Sequence, residues 1–282
     1  MKKIWILTLM LLMFTVNAGA FGQTTIMEDV LSKGRIQGNI PMVDGVQDVN
    51  LQKNINNLLK DAAEKIGEAA GGTTKLSYQV TLNRPSMFSV ILTAVGDKTL
   101  YQGVNIDMTS GKLSETKDFF YVKNDFVNIL ANKTYVFGED GLLLSAEKNA
   151  AYTEKIPYTE LLQYINIASC ARFMPGYKVT DATEGKRLTL KVGNLVSLYL
   201  PANPSTGYDW YLAEKNKPEG LVSLGNSFFL PINKNSATPG LPGNTIIFFG
   251  FTKPGNYKLI FEYKKSWTEN VSQTMTYNFL VQ

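Results

Sequence analysis

Residues 49–70 carry apolar side chains at Val49, Ile55, Leu58, Leu59, Ala62, Ala63 and Ile66, with polar positions between them. Recurrence at three and four residues lines one face of an α-helix and Gly71-Gly72 supplies a stop, so the pattern predicts an amphipathic helix over 49–70. From residue 76 the pattern changes to short apolar runs at 76–83, 87–95 and 99–107, punctuated by Arg84-Pro85 and Gly96-Asp97. These read as three strands of a meander that follows the helix. A turn at Thr109-Ser110-Gly111-Lys112, a connection at 114–120 and a second helix over 123–133, carrying Phe126, Ile129 and Leu130, come next. Tyr135-Val136-Phe137 and Leu142-Leu143-Leu144 flank Gly138-Glu139-Asp140-Gly141, a glycine-bounded hairpin turn. Ile156-Pro157-Tyr158-Thr159-Glu160-Leu161 then leads into a short apolar helix.

Beyond residue 185 short apolar stretches recur between turn signals, at 187–192, 195–200, 209–213, 221–230, 245–252, 255–264 and 273–281. Such spacing argues for an antiparallel β-sandwich or barrel. Residues 168–184, with Pro175-Gly176 and the 181–185 segment as loop points, read as a linker. At 282 residues the chain exceeds what one core usually organises. The expectation is therefore two domains: an α+β unit over 25–167, with helices packed on an antiparallel sheet, and an all-β unit over 185–282.

The first twenty residues change the picture of where the protein works. Lys2 and Lys3 form a basic start, residues 4–16 an apolar stretch, and Ala18-Gly19-Ala20 a small-residue cleavage site. This is the pattern of a secretory signal peptide over 1–20, too short to span a bilayer, and the expected product is exported and soluble, without stable membrane insertion. The formal charge is +4, and cleavage would remove Lys2 and Lys3. The remaining surplus is too small to argue for nucleic acid as a partner.

Histidine is absent from the sequence. That removes the usual general base at neutral pH, excludes Ser-His-Asp and Cys-His machinery, and excludes histidine-ligated zinc. Cys170 is the single cysteine, so no intramolecular disulfide can form, and it reads as a buried thiol. No enzyme activity, metal or cofactor is expected. A carboxylate pair acting on a glycan would be the remaining enzymatic route, and no local motif announces one.

Three loops of the second half stand out. Asn203-Pro204-Ser205-Thr206-Gly207-Tyr208 joins two apolar runs. Proline restricts Asn203, the asparagine side chain bonds nearby amides, and Gly207 admits a positive φ, so the turn should be rigid with Ser205 and Thr206 held outward. The second loop is Ala237-Thr238-Pro239-Gly240-Leu241-Pro242-Gly243, and the third is Lys264-Lys265-Ser266-Trp267. An exposed loop tryptophan is a common binding contact, because it buries a large area at little entropic cost.

Residues 185–282 resemble the chagasin-type inhibitors of papain-family cysteine proteases. The first loop is similar to that family's N-P-T-T-G-Y/F signature, with Ser205 for a threonine. It follows Val192-Gly193-Asn194-Leu195-Val196-Ser197-Leu198-Tyr199-Leu200-Pro201, which resembles the family's V-G-x-x-L-x-L-x-L-P phrase. A glycine-rich G-x-G-G loop has its counterpart in Pro239-Gly240-Leu241-Pro242-Gly243, ahead of Ile246-Ile247-Phe248-Phe249-Gly250-Phe251. The family's R-P-W loop corresponds to Lys265-Ser266-Trp267, which keeps only the tryptophan.

The resemblance implies an immunoglobulin-like sandwich whose three loops form a wedge across a papain-type cleft. Asn203, Pro204, Ser205, Thr206, Gly207 and Tyr208 would be its middle, Gly240, Leu241 and Gly243 one side, and Lys265 and Trp267 the other. Inhibition would be reversible occlusion.

Residues 25–167 resemble, more weakly, the α+β extracytoplasmic domain shared by peptidoglycan deacetylases and lysozyme-sensing anti-sigma factors of Gram-positive-type bacteria. The matching phrases are Val104-Asn105-Ile106-Asp107, Asp118-Phe119-Phe120, Tyr135-Val136-Phe137 and Ile156-Pro157-Tyr158-Thr159. They mark a fold rather than reacting groups. This resemblance implies an accessory module, with a cell-wall component as its candidate partner. The alternative expectation for the whole chain is a cell-envelope binding or sensing protein that keeps the fold without inhibiting a protease.

Overall fold

The computed structural model describes residues 24–120, 130, 133–162, 164–171, 173–224, 227–231 and 241–282. The expected signal peptide, nearly all of the expected helix over 123–133, and residues 237–240 of the second loop lie outside them.

The first sheet has six strands in spatial order β1 to β6: β1 (Thr25–Lys33), β2 (Ile36–Asp44), β3 (Thr74–Arg84), β4 (Met87–Val95), β5 (Thr99–Asp107) and β6 (Lys112–Leu113). Helix α1 (Val49–Ala70) lies between β2 and β3 in sequence. Asp48 caps it, its Oδ1 accepting from the amides of Asn50 at 2.8 Å and Leu51 at 3.1 Å, which satisfies two of the amides a helix start leaves open. Ile55, Leu59, Ala62, Ala63, Ile66 and Ala70 bury one face of α1 against Ile36, Ile40, Leu76, Val90, Leu92 and Val104 of the sheet.

The sheet is mixed rather than antiparallel throughout. Residues 36–38 of β2 run parallel to residues 74–76 of β3, because α1 acts as a crossover that returns the chain in the same direction. The β1–β2 hairpin had no counterpart in the apolar pattern. It is an edge hairpin, and Met27 and Val30 of β1 are exposed, so the alternation that marks a half-buried strand is blurred there.

A smaller module follows: α2 (Thr116–Phe119), the three-stranded sheet β7 (Thr134–Phe137), β8 (Gly141–Ser145) and β9 (Tyr152–Pro157), then α3 (Tyr158–Leu161) and α4 (Ile167–Cys170). Its core is aromatic. Phe137 meets Phe119 edge-on with ring centroids 4.7 Å apart and Phe173 at 4.6 Å, and Cys170 is buried in the same cluster, its thiol donating to the Phe119 carbonyl at 3.5 Å.

The remaining strands are β10 (Gly176–Thr180), β11 (Arg187–Leu190), β12 (Leu195–Ala202), β13 (Tyr208–Leu212), β14 (Leu221–Ser223), β15 (Phe228–Pro231), β16 (Gly243–Phe251), β17 (Gly255–Lys265) and β18 (Val271–Val281). One sheet runs β10-β12-β16-β14, with β15 also on β16, and the other runs β11-β18-β17-β13. Val196, Leu198, Leu200, Trp210, Phe249, Phe251, Leu259, Phe261, Tyr277 and Phe279 fill the space between them.

Three features of this half depart from the expected antiparallel sandwich, the first being that β11 runs parallel to β18. The run at 221–230 is two strands, β14 and β15, laid end to end along β16, and Gly225-Asn226, a turn-type pair, separates them in the sequence. Within 168–184, β10 pairs in parallel with β12 from Gly176↔Leu195 to Thr180↔Tyr199, so this stretch contributes a strand to the sandwich. Leu195 and Leu224 of the sandwich belong to the aromatic cluster of the preceding module.

Candidate functional site

The first and third loops meet at one end of the sandwich. β12 ends at Ala202, and residues 204–206 form a single 3-10 turn capped by Asn203. Asn203 Oδ1 accepts from the Ser205 hydroxyl at 2.6 Å and from its amide at 3.3 Å, while the Thr206 hydroxyl donates to the Asn203 carbonyl at 2.7 Å. Ser205 and Thr206 are exposed, yet their hydroxyl hydrogens are turned back into the loop. What they offer outward is acceptor oxygens and apolar surface rather than free donors.

Gly207 closes the turn in the left-handed region, with φ 79° and ψ 2°, where a side chain is costly. A Cβ there would also stand 3.0 Å from Cη2 of Trp267. The indole of the third loop therefore lies against the backbone of the first. Trp267 remains 70% exposed, so one edge is braced and the rest of the ring faces solvent.

Beneath the loops the two sheets are tied together. The amide of Asn203 donates to the Tyr263 hydroxyl at 3.1 Å, Trp210 Nε1 donates to the Pro201 carbonyl at 2.8 Å, and the buried Thr245 hydroxyl donates to Asp209 Oδ1 at 2.6 Å. The Tyr263 ring lies tilted against Tyr208, at 5.4 Å and 30°, and against Trp210, at 5.0 Å and 35°. Tyr208 lies opposite Lys265 in the β13–β17 pairing, and the Lys265 ammonium sits 5.2 Å from the Tyr208 ring centre and 5.7 Å from that of Trp267. A cation over two aromatic faces favours one arrangement of both rings. Neighbouring Lys264 is held by Glu262 at 2.8 Å, a hydrogen bond that raises its pKa above the ordinary lysine value.

The second loop joins this end through β16. Gly243 lies opposite Ala202 on one side and Pro231 on the other. Gly243 has a packing reason to be glycine, since a Cβ would collide with the Leu230 carbonyl and the Phe229 ring. Leu241 is half-buried, and Gly240 lies outside the described residues. Of the residues singled out from the sequence, the structure thus brings Asn203 to Tyr208 together with Lys265 and Trp267, and sets Gly243 one strand away. Asp209, Thr245 and Tyr263 brace the site without having been singled out for it.

Among the described residues no three His, Cys, Asp or Glu side chains converge as a metal site, and no helix is long and apolar enough to cross a membrane.

The domain is thus a β-sandwich that holds ordered, exposed loops at one end. The family model for chagasin family peptidase inhibitor I42 matches residues 189–281. Chagasin of Trypanosoma cruzi is 34% identical over 95 residues, covering 33% of this chain and 84% of that protein. The chain thus belongs, through this domain, to the chagasin family of peptidase inhibitors. Among solved structures, the cysteine protease inhibitor EhICP2 from Entamoeba histolytica aligns with 38% of this chain and 96% of its own, at 19% identity and a TM-score of 0.31. A DUF3298 family protein from Pseudomonas aeruginosa aligns with 51% of this chain and 93% of its own, at 10% identity and a TM-score of 0.31.

Proposed function

We propose that this protein inhibits papain-family cysteine proteases by placing the loop end of its β-sandwich across the active-site cleft. The observation that carries this reading is the corner formed by Gly207 and Trp267: a large aromatic ring, 70% exposed, is held against a turn that is closed by its own hydrogen bonds. Membership of a peptidase-inhibitor family supports a peptidase as the target.

In this reading Ser205 and Thr206 lie nearest the protease's catalytic groups. Their turn is closed by Asn203, so no extended segment is offered for cleavage. Trp267 is the aromatic anchor on one side, with Lys265 orienting it, and Leu241 and Gly243 border the other side. Preorganisation lowers the ordering cost of association. Truncating a buried aromatic anchor typically costs about 2 kcal/mol or more, roughly thirtyfold in affinity. A signal peptide over residues 1–20, as expected from the sequence, would deliver the inhibitor outside the cytoplasm.

The test is steady-state inhibition of papain and a cathepsin-L-like protease by the chain from residue 21. Sub-micromolar competitive inhibition that weakens at least tenfold in Trp267→Ala supports the reading. No inhibition at tens of micromolar contradicts it and leaves a binding module without this activity.

A further inference from the structure

The edge strand β15 carries a strip of exposed apolar side chains that belong to no buried cluster. β15 presents Phe228, Phe229 and Leu230 at 47%, 39% and 37% exposure, three successive large apolar side chains, whereas a strand packed on a core hides every second one. None of the three is a member of a buried cluster. Alternation puts Phe228 and Leu230 on one face. Phe228 meets the ring of Phe248 edge-on at 5.9 Å, and Phe229 turns the other way, over Gly243.

The strip adjoins the loops. Leu230 lies opposite Asn244, Pro231 opposite Gly243, and Gly243 opposite Ala202, the residue before Asn203. Two strand spacings, roughly 10 Å, separate β15 from the start of the first loop. Pro231 has no amide to donate, which makes this edge a poor template for pairing with a strand of a second copy. Side-chain contact is the use left to it, and exposed apolar surface beside a binding edge marks an interaction site.

Resting on the inhibitory reading above, we propose that Phe228 and Leu230 form a further contact of the wedge on the side of the second loop. They seat on an apolar wall of the protease cleft and select, among papain-family proteases, those whose wall is apolar there. The contact is separate from the corner of Gly207 and Trp267, so the two act additively.

Inhibition constants for the chain from residue 21, Leu230→Asp, Phe228→Ser/Leu230→Ser and Trp267→Ala, measured on papain and a cathepsin-L-like protease, test this. Thermal unfolding and light scattering accompany them. Leu230→Asp is expected to weaken inhibition about tenfold and the double change up to about a hundredfold, with unfolding midpoints unchanged. Leu230→Asp decides the matter alone if the double variant folds poorly. If the parent inhibits, Trp267→Ala weakens it and Leu230→Asp does not, the strip plays no part and the wedge reading stands. If the double change turns a dimer into a monomer with inhibition unchanged, the strip serves a second copy and the proposal is overturned. If the parent inhibits neither protease, both readings fall.

Discussion

The two ends of the β-sandwich use the same strands in opposite ways. Where β12 begins and β16 finishes, the chain covers itself: Gly193 lies against Thr159, Gly250 against Leu162, and Leu195 and Leu224 join the aromatic cluster of the neighbouring module. Where β12 finishes, Ser205, Thr206 and Trp267 are exposed although their backbone is held by Asn203, Gly207 and Tyr263. At the first end, rigidity comes with burial. At the second it comes from hydrogen bonds and ring contacts, without burial of the residues that are held. Order maintained at an exposed corner points to a partner outside the chain, and that contrast underlies the functional reading.

The largest expected effect breaks the covered end. Residues 185–282 expressed alone lack β10 and uncover Leu195 and Leu224. At about 1.5–3 kcal/mol for each buried leucine, the sandwich should lose about 3–6 kcal/mol. Denaturant unfolding of this fragment, set against the full chain, checks it, and an equal midpoint would mean that the cover contributes nothing.

Alkaline pH probes the same end. Burial pushes the Tyr135 hydroxyl up to about 12 and raises that of Tyr158 as well. A raised value in the folded state means that the neutral phenol is favoured there. The stabilisation is complete below the ordinary value near 10 and is lost as the pH rises through about 12. Tyr135 alone should account for about 2–3 kcal/mol over that range, read as a falling unfolding midpoint between pH 9 and 11.5.

At the exposed end, Asp209→Ala removes the tie between the sheets and leaves the buried Thr245 hydroxyl without that partner. A loss of about 1–3 kcal/mol in stability is expected, together with weaker inhibition. Unaltered inhibition would show that this tie does not position the loops. The smallest effect belongs to Lys265→Met, which removes the cation above Tyr208 and Trp267. At about 0.5–1 kcal/mol it should weaken inhibition only a few-fold, with stability unaffected.

The same contrast governs what could be read from the sequence. Helix 49–70 was legible because its apolar positions recur at helical spacing and its stop at Gly71-Gly72 is local, whereas the Asp48 cap was not read from the sequence. The first loop was legible for a similar reason, since Asn203, Pro204 and Gly207 act within six residues. β10 was not, because Val179 is its only buried side chain and its pairing with β12 is a long-range event. Nor were the braces legible: Tyr263 reaches Asn203 across 60 positions and Thr245 reaches Asp209 across 36. No local pattern encodes such distances. The exposure of Phe228 and Leu230 was equally hidden, because an apolar run reads as core until the strands around it are placed.

The measurement that bears most directly on the wedge is protection of papain's active-site thiol. Carboxymethylation of that cysteine would be timed with and without the chain from residue 21, and the recovered chain checked by mass spectrometry. Occlusion by a closed turn predicts much slower alkylation in the complex, restored on dissociation, with the 203–208 segment uncut. Alkylation at the rate of free papain under saturating chain, or cleavage within 203–208, would contradict it.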